Sequence, residues 1–181
     1  MTTETQFTVL EAPLGEVVAA WNDDGVVSIR LGPDPGHEAR ARGWRARPGA
    51  RNALTEQLRA YFAGELRAFD LRVVQEGTAF QREVWDALTA IPYGETRSYT
   101  DIAAAVGRPT AVRAVGAANG RNDVPIVVPC HRVIGSAGEL RGYAGGLDVK
   151  AALLRFEREG VWVPVTHAAP GDRVARPPQL W

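Results

Sequence analysis

The sequence holds a single cysteine and a single lysine among its 181 residues. One cysteine excludes an internal disulfide and any zinc site built from several thiolates. A lone thiol is useful only if it stays reduced, which favours the cytoplasm. The start, Met1-Thr2-Thr3-Glu4-Thr5, is polar and lacks the apolar stretch of a signal peptide. No apolar run approaches the roughly 20 residues needed to cross a bilayer, so no membrane association is expected. Formal net charge is zero, so affinity for a polyanion must come from a local patch. Apart from Lys150, all basic residues are arginine, a bias that fits a GC-rich genome better than a functional demand. The apolar fraction of 45% suffices for a core in one ordinary domain or two small ones.

The lone cysteine sits in the most distinctive stretch, Ile126-Val127-Val128-Pro129-Cys130-His131-Arg132-Val133-Ile134-Gly135. This reads as a buried strand that breaks to present a thiol and then resumes. Two meanings compete. Free cysteine is among the most buried residue types, and adjacency to a histidine is common by chance. As a nucleophile, the thiol would need a base, a group orienting that base, and a pocket.

Residues 6 to 31 have the pattern of a β-meander, with Asn22-Asp23-Asp24-Gly25 as a turn. Gly32 to Ala50 is rich in Gly, Pro and Arg, lacks a period, and is expected to be a loop. Its Arg40, Arg42, Arg45 and Arg47 suit a solvated surface better than a nucleic-acid contact. Asn52 is placed to cap a helix running to about Ala63, and Phe69 to Val74 suggest a last strand. Thr78 is placed to cap a helix with Phe80, Val84, Leu88 and Ile91 on one face. Ser98 caps a short helix from Tyr99 to Val106, Gly107-Arg108-Pro109 breaks it, and Thr110 caps an alanine-rich helix through about Ala118. Two short helices across a tight turn resemble a helix-turn-helix. Between Arg97 and Arg121 there are four arginines and one acid, Asp101, a modest footprint for phosphates. Tyr143-Ala144-Gly145-Gly146 is a loop that could lie against a ligand. Asp148 starts a helix on which Glu157 lies at the edge of the stripe of Val149, Leu153 and Phe156. There it either lies at a rim or pairs internally.

These motifs together resemble the O6-alkylguanine-DNA alkyltransferase family. The resemblance runs in order through Phe80-Gln81, Val84-Trp85, Ile91-Pro92-Tyr93-Gly94, Ser98-Tyr99, Arg113-Ala114-Val115-Gly116, Ala118-Asn119-Gly120, Asn122, Pro129-Cys130-His131-Arg132-Val133, Gly142-Tyr143-Ala144-Gly145-Gly146, Lys150, Leu153-Leu154 and Glu157. It implies an α/β (α+β) chain: a small N-terminal sheet-plus-helix domain at 1–76, a mostly helical DNA-binding and alkyltransferase domain at 77–165, and a tail at 166–181. It implies irreversible, stoichiometric transfer of an alkyl group from O6-alkylguanine in double-stranded DNA to Cys130, with O4-alkylthymine as a further candidate substrate. His131 would take the thiol proton, through a water. Glu157 would orient the imidazole and favour its charged form, and Tyr99 would supply a proton to the leaving base.

Thr110, Arg113, Ala114, Gly116 and Ala117 would meet the minor groove, with Arg113 filling the gap left by a flipped nucleotide. Tyr143, Ala144, Gly145 and Val133 would wall the pocket, with the Cys130 and Val133 carbonyls reading the base edge. Asn122 would hold the turn before the cysteine. No cofactor is implied. No metal is expected either, since the only histidine before His131 is His37. The protein is expected to act as a monomer, with cooperative binding on DNA left open.

Three positions depart from the family pattern. Asp123 stands where proline is common, Ala144 replaces a serine, and the segment from Arg40 to Arg51 has no family counterpart in role. The alternative is a lesion-binding module of the alkyltransferase-like type, which Cys130 argues against. A sequence-reading transcription factor needs side chains that reach base edges, and this helix offers mostly alanine. A cysteine peptidase would not require the Arg113 helix.

Overall fold

The structure, a computed structural model, describes residues 4–165; the tail expected at 166–181 lies outside them. The described residues form two compact units, residues 4–75 with 123–125, and residues 76–122 with 126–165.

The first unit is a four-stranded sheet with helices. Strands β1 (Gln6–Ala12), β2 (Gly15–Asn22) and β3 (Gly25–Leu31) form the expected antiparallel meander. Alternation along them buries Phe7, Val18 and Ala20 beneath Ala39, with Val9 and Trp44 packed at the edge. The Arg-rich segment is not the expected loop. It contains helix α1 (Pro35–Ala41) and the two-residue strand β4 (Arg45–Ala46), which pairs in parallel with β1. Asp34 caps α1 through His37 N–H, and Pro35 opens it with the fixed φ a first helical turn needs. Of its arginines, Arg42 pairs with Glu38, Arg45 with Glu4 and Arg51 with Glu56.

Helix α2 (Ala53–Phe62) is capped by Asn52, as its sequence predicts. The strand expected over Phe69 to Val74 does not form; only Val73 makes a bridge, to Val26. Asp123, the departure from proline, is tied into this unit. Ile29 N–H donates to its carbonyl at 2.9 Å, and Arg30 pairs with its carboxylate at 2.8 Å.

The second unit carries the candidate site. Helices α3 (Ala79–Thr89) and α4 (Tyr99–Ala105) begin with reciprocal capping boxes at Thr78 and Ser98. Helix α5 (Val112–Gly120) packs against both. Thr110 does not cap it. Ala111 N–H donates to the Arg108 carbonyl at 2.9 Å, closing a turn around Pro109 and Thr110. Ala111 becomes the N-cap, without a side-chain bond.

The strand expected over Ile126 to Val128 is also absent. These residues are buried in a turn in which Ile126 has φ 76°, a left-handed conformation costly for a β-branched side chain. A 3-10 turn, Cys130–Arg132, follows. Strand β6 (Val133–Ile134) then pairs in parallel with β5 (Arg97–Ser98). Helix α6 (Leu147–Glu159) starts one residue before the expected Asp148, with Gly146 as N-cap. No helix among the described residues is long and apolar enough to cross a membrane.

Candidate active site

Cys130 opens the 3-10 turn, directly after Pro129, and is 4% exposed. Its N–H donates to the Val128 carbonyl at 2.8 Å. The Asn122 carboxamide donates to the same Val128 carbonyl at 2.7 Å and hydrogen-bonds to the thiol. Asn122 therefore joins both ends of the turn that presents the sulfur. Burial raises the thiol pKa to about 11, with Asn122 and the Lys150 charge opposing the rise. At rest the group is a neutral thiol and needs a base to become a nucleophile.

The adjacent imidazole is fully buried. His131 Nε2 lies 2.8 Å from Glu157 Oε1, while its Nδ1, also buried, has no protein hydrogen-bond partner among the described residues. Glu157 projects inward from α6 and is held from three sides. Arg132 Nε donates to Oε2 at 2.8 Å and Nη2 to Oε1 at 3.0 Å, and Gly94 N–H donates to Oε2 at 3.1 Å.

Burial opposes the charge on Glu157, yet hydrogen bonds from His131 and Arg132, with the Arg132 charge, hold its pKa well below the usual carboxylate range. His131 is displaced downward, by burial above all, with Glu157 pulling the other way and Arg132 and Lys150 reinforcing the fall. The imidazole is therefore neutral at rest. Glu157 hydrogen-bonds the ring and, as expected, pulls toward its charged form, but burial outweighs that pull and the net displacement is downward.

An open cleft of about 610 Å³ lies in the same unit, lined by Tyr99, Arg113, Tyr143 and Ala144 among others. Tyr99 opens α4, and its hydroxyl donates to the Arg141 carbonyl at 3.3 Å. Burial raises its pKa, and a charge on the Cys130 sulfur would raise it further. Tyr143 responds in the same sense to burial and to Cys130, and its buried hydroxyl has no protein partner among the described residues. Both phenols therefore hold their protons at neutral pH, within electrostatic reach of the sulfur.

The structure gathers Tyr143 and Ala144 at the cleft, but Cys130, Val133 and Gly145 are buried and do not line it. The Cys130 carbonyl is already engaged by Val133 N–H and, at 3.4 Å, by the Asn119 carboxamide.

On α5 the residues Arg113, Ala114, Ala117 and Gly120 are exposed, while Val115, Ala118 and Asn119 are buried. That spacing leaves one outward stripe of small residues carrying a single cation. Gly116 is half-buried toward Tyr99, whose ring would lie 3.9 Å from an added Cβ. Thr110 is exposed in the turn before α5.

Two residues of the site have roles that the sequence alone does not suggest. Arg132 belongs to the quoted motif, but its partner is 25 residues away, beyond any local pattern. Lys150, the only lysine, is fully buried. Its Nζ donates to the Arg141 carbonyl at 2.7 Å, burial lowers its pKa to about 8, and its charge acts on the thiol. Its spacing of seven from Glu157 places both on one face of α6, the one signal that could have marked it. Among the described residues no group of three or more His, Cys, Asp or Glu side chains could hold a metal ion.

Residues 79–159 match the model of the 6-O-methylguanine DNA methyltransferase DNA-binding domain. The chain is 50% identical over 153 residues to a methylated-DNA–protein-cysteine methyltransferase of Mycolicibacterium paratuberculosis, covering 84% of this chain and 92% of that one. It is also 50% identical to the constitutive enzyme of that name from Bacillus subtilis, covering 84% and 94%. Its fold matches the crystal structure of Mycobacterium tuberculosis OGT in complex with DNA, with a TM-score of 0.75 at 45% identity over 84% of this chain and 92% of that one. Against the O6-methylguanine methyltransferase of the same organism, the TM-score is 0.78 at 43% identity, covering 93% and 96%. With identity of this order over nearly the whole length of these relatives, the chain belongs to the methylated-DNA–protein-cysteine methyltransferase family.

Proposed function

We propose that this protein repairs DNA in the cytoplasm by direct reversal, moving the alkyl group of O6-alkylguanine onto Cys130 in a single, irreversible turnover. The observation that carries this reading is the buried series of Cys130, His131 and Glu157, beside a cleft bordered by two protonated phenols and the exposed face of α5. The residues from 77 to 165 form the domain that binds DNA and performs the transfer.

His131 Nδ1 accepts the thiol proton through a water, while Glu157 fixes the ring from the other side. The sulfur attacks the alkyl carbon, the carbon–oxygen bond breaks, and its electron pair stays on the guanine O6. Tyr99 gives the departing base a proton and recovers one through solvent from the imidazolium. The net change is a thioether on Cys130 and a normal guanine. With its pKa raised to about 11, the thiol is protonated at neutral pH and requires the base to become a nucleophile. The carbon attacked is sp³, so no oxyanion hole is needed.

A base inside a duplex must be turned out to reach this site. Ala114 and Ala117 on the outward stripe of α5 suit a narrow minor groove, with Thr110 beside its start and Gly116 turned toward the pocket. Arg113 fills the position left by the nucleotide. Tyr143 and Ala144 contact the flipped base, with Gly145 and Val133 behind them. Asn122 holds the turn that carries Cys130.

The test is stoichiometric. A duplex with one O6-methylguanine is mixed with increasing protein, and restored guanine is counted. One guanine per protein molecule, with no further turnover, is expected. Binding without guanine formation would overturn the reading in favour of a lesion-binding module.

A further inference from the structure

We infer that Arg132 is a positioning residue for this reaction: its guanidinium shares the Glu157 carboxylate with His131 and so leaves the imidazole as a proton acceptor rather than a standing cation. The inference rests on the proposed role of His131 as base. Arg132 donates to both oxygens of Glu157, and its Nη1 donates to the Ile91 carbonyl at 2.7 Å. It thereby ties the end of the α3 turn to α6, beside the Gly94 N–H that also serves Glu157.

The charge balance follows from this geometry. The groups acting on the imidazole are Glu157 and Lys150 from α6 and Arg132 from its own turn; around them lie the Cys130 thiol, which accepts from the His131 backbone, and the Tyr143 hydroxyl, which feels both Cys130 and Glu157. Only one of these, Glu157, is an anion at rest. An arginine is charged at every accessible pH, so Arg132 already matches that anion. A protonated His131 would be a further buried cation without an anion of its own. A simple His–Glu pair would instead draw a proton onto the imidazole and spoil it as a base. Arg132 lets the carboxylate orient the ring while limiting that pull.

The test compares wild type, Arg132→Gln and Arg132→Lys. Two readouts are used: NMR titration of the His131 ring, and the pH profile of single-turnover reaction with free O6-benzylguanine. In Arg132→Gln the His131 titration and the acid limb of the profile are expected to move up together by about one pH unit. Arg132→Lys is expected to keep the limb within a few tenths of a unit of wild type while reacting several-fold more slowly, because a single ammonium cannot hold both oxygens.

If Arg132→Gln fails to fold, Arg132→Met replaces it with the same two readouts: an upward move of both supports the inference, and an unmoved His131 titration overturns it. A uniform loss of rate in Arg132→Gln, with His131 titrating as in wild type, would also overturn it. The NMR titration does not depend on alkyl transfer. An inactive wild type with the expected His131 shift would therefore count against the proposed function and leave the role of Arg132 standing.

Discussion

His131 Nε2 and Glu157 Oε1 lie 2.8 Å apart with both side chains wholly removed from solvent. Glu157→Gln removes the anion and leaves Arg132 buried without its partner. We expect a stability loss of about 3–5 kcal/mol, read as a lower denaturant midpoint. At temperatures where the variant stays folded, reaction with O6-benzylguanine should slow by about 10²–10⁴-fold. A variant that folds and reacts as wild type would remove Glu157 from the mechanism.

The same pair makes the fold acid-labile. The folded-state values of His131 and Glu157 are both displaced downward. The unfolded chain therefore binds more protons than the folded one below the ordinary values of about 6.5 and 4.3. Their contribution is complete above pH 6.5 and is lost as pH falls, first through His131 and then through Glu157. Urea midpoints between pH 8 and pH 4 should decline across that window, and His131→Gln should flatten the upper part of the decline.

Arg113 is exposed on α5 and is not needed for packing. Arg113→Ala should leave the denaturant midpoint unchanged. It should slow repair of a duplex by roughly 10–100-fold, the equivalent of a few kcal/mol of unpairing, and barely affect reaction with O6-benzylguanine. Equal losses on the two substrates would rule out a role in holding the base out of the helix.

Trp85 Nε1 donates to the Ala118 carbonyl at 3.0 Å, joining α3 to the back of α5. Gly77 makes room for that indole, since an added Cβ would lie 2.6 Å from the ring. Gly77→Ala should displace Trp85 and lower stability by about 1–3 kcal/mol. Weaker DNA binding should accompany the loss, while Trp85→Phe should reproduce the effect on binding. Full DNA affinity in both variants would show that this contact does not steady α5.

Much of this architecture is legible in the chain because its signals are local. Asn52, Thr78 and Ser98 each cap the helix that follows them through a bond spanning three residues, and that chemistry is visible without tertiary context. The Asp34-Pro35 start of α1 carried the same kind of signal, obscured by the glycine, proline and arginine around it. Ile126-Val127-Val128 reads as a strand because it is apolar. Burial alone cannot separate a strand from a packed turn, and φ 76° at Ile126 shows that the turn won. Glu157 was recognisable as a carboxylate at the rim of an apolar stripe. Its sharing between His131 and Arg132 depends on bringing α6 against the 3-10 turn, which no periodicity encodes.

In the proposed reaction Cys130 itself receives the alkyl group. The most direct measurement is intact mass and peptide mapping after incubation with a duplex carrying O6-methylguanine. A gain of about 14 Da, one methylene, is expected on the Cys130 peptide, absent in Cys130→Ser, with DNA affinity retained in that variant. An unmodified Cys130 under conditions where the lesion is bound, or a methyl group found on another residue, would contradict it.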